Sequence, residues 1–143
     1  MNSNAATFAS PLPHPPPDDA VPTDAQTVRV AVKGYVRLTE SWSLVDRDAA
    51  ALLDVPPRTW QRMKREGWSG RLTKDQVLRI GLLVGIHHDL ASCFGPQIAP
   101  IWPRLDNGDA PFGGRTPVQY MIDGALPAFM HVRQRVASMS QGT

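Results

Sequence analysis

The stretch LTKDQVLRIGLLVGIHHDLASCF, residues 72–94, constrains the fold more than any other. Thr73 and Gln76 stand at capping-box spacing, where each side chain can satisfy an orphan N–H at a helix start. Beyond them, apolar residues fall on nearly every side of the helix: Val77, Leu78, Ile80, Leu82, Leu83, Val84, Ile86, Leu90, Cys93 and Phe94. A helix that is apolar all round is buried on several faces or crosses a membrane. The unbroken apolar run here is about ten residues, half of the ~20 that a crossing requires. The sequence therefore predicts a central helix packed on both sides by other helices. Gly81 and Gly85 share one face, and close packing of a neighbour fits them better than a hinge. Gly95-Pro96 ends the helix.

The flanking segments read as shorter helices. Residues 23–40 form an amphipathic one, capped by Thr23 or Asp24, with Val28, Val32, Tyr35, Val36 and Leu38 inward and Arg29, Lys33 and Arg37 outward. Trp42 and Leu44 follow as core anchors. Residues 46–53 are a short helix presenting Ala49, Ala50, Leu52 and Leu53 to the core. Asp54-Val55-Pro56 is a turn, and Pro57 suits a first helical position because its missing N–H has no partner there anyway. Residues 58–66 continue as a helix with Trp60 and Met63 inward. After Pro96 a short helix over residues 98–104 carries Ile101 and Trp102, and residues 105–115 form an ordered loop. Thr116-Pro117 starts a helix that Gly124 breaks. A final helix, residues 125–139, turns Leu126, Phe129, Met130, Val132 and Val136 inward, with Pro127 tolerated in its first turn. No stretch alternates with period two, so the fold class is all-α.

Charge locates the interaction surfaces. The chain carries a net +2, but residues 41–83 hold eight Lys/Arg against five Asp/Glu and residues 84–143 hold four against four. A nucleic-acid face therefore belongs in the middle third. The single cysteine, Cys93, excludes an internal disulfide and a multi-cysteine metal site. No signal peptide is legible, and a reducing cytoplasm fits. Residues 1–22, with Pro11, Pro13, Pro15, Pro16, Pro17 and Pro22, are expected to be a disordered or polyproline-like tail. His87 and His88 diverge by about 100° as neighbours on a helix, and no catalytic or metal-binding motif is present. A non-enzymatic protein without cofactor or metal is expected.

Residues 46–66 have the pattern of a helix-turn-helix. A close-packing first helix precedes a three-residue turn and a second helix with two inward apolar residues. Arg58, Thr59, Gln61, Arg62 and Arg65 are the candidate DNA-binding residues, since Arg and Gln are the side chains that read guanine and adenine edges. A solvated basic face in an ordinary bundle is the competing reading.

The stretches DAAALLDVPPRTWQRMKREG, LTKDQVLRIGLLVGI, IWPRLDNGDAPFGGRTPVQYMIDG and VRQRV together resemble the Xre-like antitoxins of RES–Xre toxin–antitoxin pairs, the MbcA/ParS group. The most specific element is PFGGRTPVQYMIDG, residues 111–124. Departures from the family pattern are Met63, where Trp is more common, Pro127, and the proline tail. The resemblance implies an Xre-like helix-turn-helix domain over residues 23–70 and a toxin-binding domain over residues 71–143. It implies a partner as well, a RES-domain toxin that consumes NAD or transfers ADP-ribose. The antitoxin would occlude that toxin's active site with its C-terminal region. A homodimer formed through the N-terminal half, and autoregulation through operator DNA, are further implications.

The toxin-binding candidates are Phe112, Gly113, Gly114, Arg115 and Thr116 in the loop, and Arg133, Gln134, Arg135, Ser138 and Met139 on the last helix. Two readings of the loop stay open. Either Arg115 touches the toxin, or Arg115 and Thr116 lock the loop onto its own fold while Phe112 plugs the core. Arg133 and Arg135, with residues 138–143, are expected to pair with acids near the toxin's NAD-phosphate site. A stand-alone helix-turn-helix transcription regulator is the alternative function.

Overall fold

The computed structural model describes residues 24–141. The proline-rich segment 1–22 lies outside the described residues, as do residues 142–143. Among the described residues, five α-helices and one 3-10 turn make up the regular structure: α1 (Ala25–Ser41), α2 (Asp46–Leu53), α3 (Pro57–Met63), α4 (Lys74–Phe94), the turn Trp102–Arg104, and α5 (Pro117–Gln141). No strand occurs among the described residues, so the all-α expectation holds.

Four of the five described helices start at a local signal, while α2 starts after Val45 with no side-chain cap. The Asp24 side chain accepts from the Thr27 N–H and caps α1. Pro57 opens α3. Thr73 and Gln76 close a full capping box on α4, with the Gln76 N–H on Thr73 Oγ1 at 3.1 Å and the Thr73 N–H on Gln76 Oε1 at 2.9 Å. Thr116 Oγ1 accepts from the Gln119 N–H at the start of α5. The side-chain caps satisfy donors that a helix start otherwise leaves without partners, and Pro57 removes one of those donors.

One continuous hydrophobic cluster runs from Val28 on α1 to Val136 on α5. Tyr35 joins α1 to the next two helices: its hydroxyl donates to the Ala49 carbonyl at 2.7 Å, and its ring meets Trp60 edge-on at 5.4 Å. Burial pushes the Tyr35 hydroxyl far above its ordinary value, so it stays a neutral donor. Arg79 on α4 is only 5% exposed. Its guanidinium bonds Asp75 and the Leu52 carbonyl and lies over the Phe129 ring, 5.1 Å from its centre. One cation thereby ties α2, α4 and α5 together. A charge inside the core is tolerable only when its donors are satisfied in this way.

Several expectations are corrected. The central helix is not packed on both sides. Ile80, Leu83, Ile86 and Leu90 are buried, but Leu78, Val84 and Phe94 are exposed. By length and composition α4 is apolar enough to cross a membrane, but its buried line packs on α1, α2 and α5. The second helix of the helix-turn-helix stops at Met63 rather than at residue 66, because the Arg65 N–H turns back to the Arg62 carbonyl. Arg65 therefore sits in the turn after the helix. Residues 98–101 form turns, and only Trp102–Arg104 is helical, as a 3-10 turn. Within α5 the break falls at Ala125 (φ 58, ψ −155) rather than at Gly124. That break places Pro127 in the first turn of the second half, where its missing N–H is harmless. Met130, expected inward, is 54% exposed.

Candidate functional site

Two surfaces carry the candidate residues. On the first, α2 and α3 meet at the turn around Asp54, which adopts a left-handed conformation (φ 62) at the end of α2. The Gln76 side chain donates to the Asp54 carbonyl at 3.2 Å and braces that turn from the start of α4. Asp46 is the first residue of α2, and its carboxylate gathers α3. Trp60 Nε1 donates to it at 2.9 Å, Gln61 Nε2 at 3.1 Å and Lys64 Nζ at 2.9 Å. The Lys64 hydrogen bond first, then those from Trp60 and Gln61, pull the Asp46 carboxyl down to about 2. The negative charge also sits favourably at a helix start.

This constellation divides the five DNA-binding candidates. Gln61 is occupied by Asp46, and Thr59 is half-buried. Arg58, Arg62 and Arg65 are exposed and pair with no carboxylate among the described residues. Asp46, which the sequence reading passed over, holds the angle between the two helices. Its partners lie 14 to 18 residues away, so no local pattern exposes the role.

The second surface joins the loop of residues 105–116 to α5. Phe112 is fully buried, with Trp102 and Tyr120 set edge-on to its ring at 5.8 and 5.4 Å. Its part is to anchor the loop. Gly113 (φ 61) and Gly114 (φ 94) take backbone conformations that favour glycine, and both are exposed with no atom near where a Cβ would stand. Arg115 folds inward: its Nε donates to the Phe112 carbonyl at 3.3 Å, its Nη1 reaches Asp123 at 3.3 Å, and its guanidinium lies 5.1 Å from the Tyr120 ring centre. Thr116 is spent on capping α5. Within the chain, Arg115 and Thr116 thus hold the loop to α5.

The α5 candidates are also placed. Arg133 lies across α4 and pairs with Asp89. Arg135 pairs with Asp109 of the loop at 3.2 Å. Loop and helix, 26 residues apart in sequence, thus form one surface. Met139 packs partly against the core, while Gln134 and Ser138 are exposed. With Met130 they lie one turn apart along a single outward stripe. Beside the kink, Arg115, Tyr120, Asp123 and His131 line a hollow of about 260 Å³, with the Tyr120 hydroxyl 2.8 Å from His131 Nδ1. Tyr120 and Asp123 belong to this hollow through the fold, with no sequence signal of their own.

His87 accepts a hydrogen bond from Trp42 Nε1 at 2.9 Å, and burial, then the neighbouring His88, lowers its pKa. It is a half-buried acceptor that holds the Trp42 indole. Among the described residues, no group of three or more His, Cys, Asp or Glu is placed to hold a metal ion.

No curated protein and no solved structure matches the chain. Residues 24–85, which hold α1, α2, α3 and the first half of α4, match the model of the antitoxin Xre-like helix-turn-helix domain, and this supports an Xre-like antitoxin or helix-turn-helix regulator.

Proposed function

We propose that this protein is an antitoxin that neutralises a RES-domain, NAD-consuming or ADP-ribosylating toxin by covering its nucleotide cleft. The surface formed by the loop and α5 would do this, while the helix-turn-helix side binds operator DNA. The reading rests on the match at residues 24–85 and on the resemblance of residues 111–124 to the RES-partner group. The Asp109–Arg135 pair carries it structurally, because it fuses the Gly113-Gly114 turn and the Met130/Gln134/Ser138 stripe into one presented face. Arg133 and Arg135 already have partners within the chain, so they act as braces for that face. The toxin contacts then come from the bare glycine backbone and from Met130, Gln134 and Ser138. A homodimer through the N-terminal half belongs to the same proposal.

Co-expression with the neighbouring gene, followed by size-exclusion and an NAD-consumption assay, tests it. A stable complex that consumes no NAD is expected. Absence of an adjacent toxin gene, or a toxin that runs at full speed beside this chain, would leave the stand-alone regulator. Arg58, Arg62 and Arg65, exposed without a carboxylate partner among the described residues, favour that second reading.

A further inference from the structure

A groove of about 670 Å³ lies between α1 and the C-terminal end of α3 with the segment that follows it. One wall carries Arg29, Lys33 and Arg37, each four residues from the next. On a helix this spacing aligns them in a single track with roughly 6 Å between successive cations. The opposite wall supplies Lys64 and Arg65. Against these five cations stand only Glu40 and Glu66 among the described lining residues, a local net charge of +3 where the whole chain carries +2. Lys64 is committed to Asp46. Arg29, Lys33, Arg37 and Arg65 have no carboxylate partner among the described residues. Four cations without a carboxylate partner among the described residues give this groove a positive potential that attracts a polyanion.

We propose that this groove takes the sugar–phosphate backbone of duplex DNA, with α1 as a phosphate track beside α3. The inference rests on the DNA-binding arm of the function proposed above and extends it to an element outside the helix-turn-helix. Continuity favours DNA over an acidic peptide. Arg65 lines the groove and follows the exposed Arg62 of α3 by three residues, so a single duplex can run from one to the other. Contacts of this kind carry affinity and salt dependence but little sequence preference.

Fluorescence anisotropy of the full-length protein tests it, with two labelled 30-bp duplexes, one from upstream of its own gene and one unrelated. The variant Arg29→Gln/Lys33→Gln/Arg37→Gln alters exposed side chains only, so an unchanged unfolding midpoint is expected. Its affinity should fall about 10- to 100-fold on both duplexes, and the slope of log K against log salt should shrink by roughly 2 to 3. Arg29→Lys/Arg37→Lys should keep the wild-type slope. If the wild type binds DNA and the triple variant keeps its slope, the groove is excluded while DNA binding through α3 stands. If the wild type binds neither duplex, both ideas fall. Weakened capture of the toxin by the triple variant, with DNA binding intact, would show that the groove takes an acidic protein segment and would overturn the proposal.

Discussion

Arg133 of α5 crosses α4 at Gly85, so closely that a Cβ on that glycine would stand 2.8 Å from the Arg133 Nε. The pair to Asp89, one turn further along α4, fixes the guanidinium in that crossing. Gly81, one turn before, faces nothing within 4 Å. The two glycines share a face but differ in use. Gly81→Ala should raise stability by about 0.5–1 kcal/mol, the ordinary gain of Ala over Gly in an open helix interior. Gly85→Ala should lose that gain, because Arg133 must move and its pair to Asp89 loosens. Urea unfolding of the two variants checks this. Equal effects would mean that Arg133 does not lie across α4.

Arg79→Met should cost about 1–3 kcal/mol, the penalty for leaving a buried acceptor without its donor. Asp75 can turn to solvent, but the Leu52 carbonyl loses its donor and the Phe129 ring its cation. Arg79→Lys should recover little, since a single ammonium cannot serve carboxylate, carbonyl and ring from one position. Denaturant midpoints of both variants measure it.

His87 gives the fold a pH dependence whose sign is set by burial. Its pKa is lowered from 6.5 in the folded state. Below that value the unfolded chain takes up a proton that the folded chain resists, so stability rises with pH across the window. The contribution is complete above about 6.5 and is lost as pH falls through the lower folded value. Unfolding free energy should decline on acidification below pH 6.5. In His87→Asn, whose side-chain oxygen can still accept from Trp42, the decline should be shallower. Equal slopes would contradict the buried-acceptor role.

Asp46 shows the opposite sign. Its carboxyl is held down to about 2, so its contribution is present at neutral pH and fades as pH falls from the ordinary carboxylate range toward that value. Asp46→Ala should loosen α3 on α2 at pH 7, and the gap from wild type should narrow near pH 2. Because Lys64 and Gln61 are released, non-specific DNA affinity should change in the same variant. Matched pH series of circular dichroism unfolding read the first effect.

Local chemistry was legible in the sequence, and distant partnership was not. Thr73 with Gln76, Thr116 and Pro57 all act within one helical turn, so their residue types alone located four helix starts together with Asp24. The exposed side of α4 was hidden because apolar residues on every side leave no period to read. Met130 looks like a core residue by type, and only the kink at Ala125 sets which way the second half of α5 faces. Arg133 and Arg135 looked free because Asp89 and Asp109 lie 44 and 26 residues away. Arg79 carries no local sign of burial, because Leu52 and Phe129, which close over it, are distant in sequence.

The most direct test of the whole account titrates purified RES toxin with this protein while NAD is followed spectroscopically. Inhibition should be complete near stoichiometric ratio, and Met130→Asp/Ser138→Asp should require a large excess while keeping the wild-type unfolding midpoint. NAD consumed at an undiminished rate beside a molar excess of the wild-type chain would contradict the account.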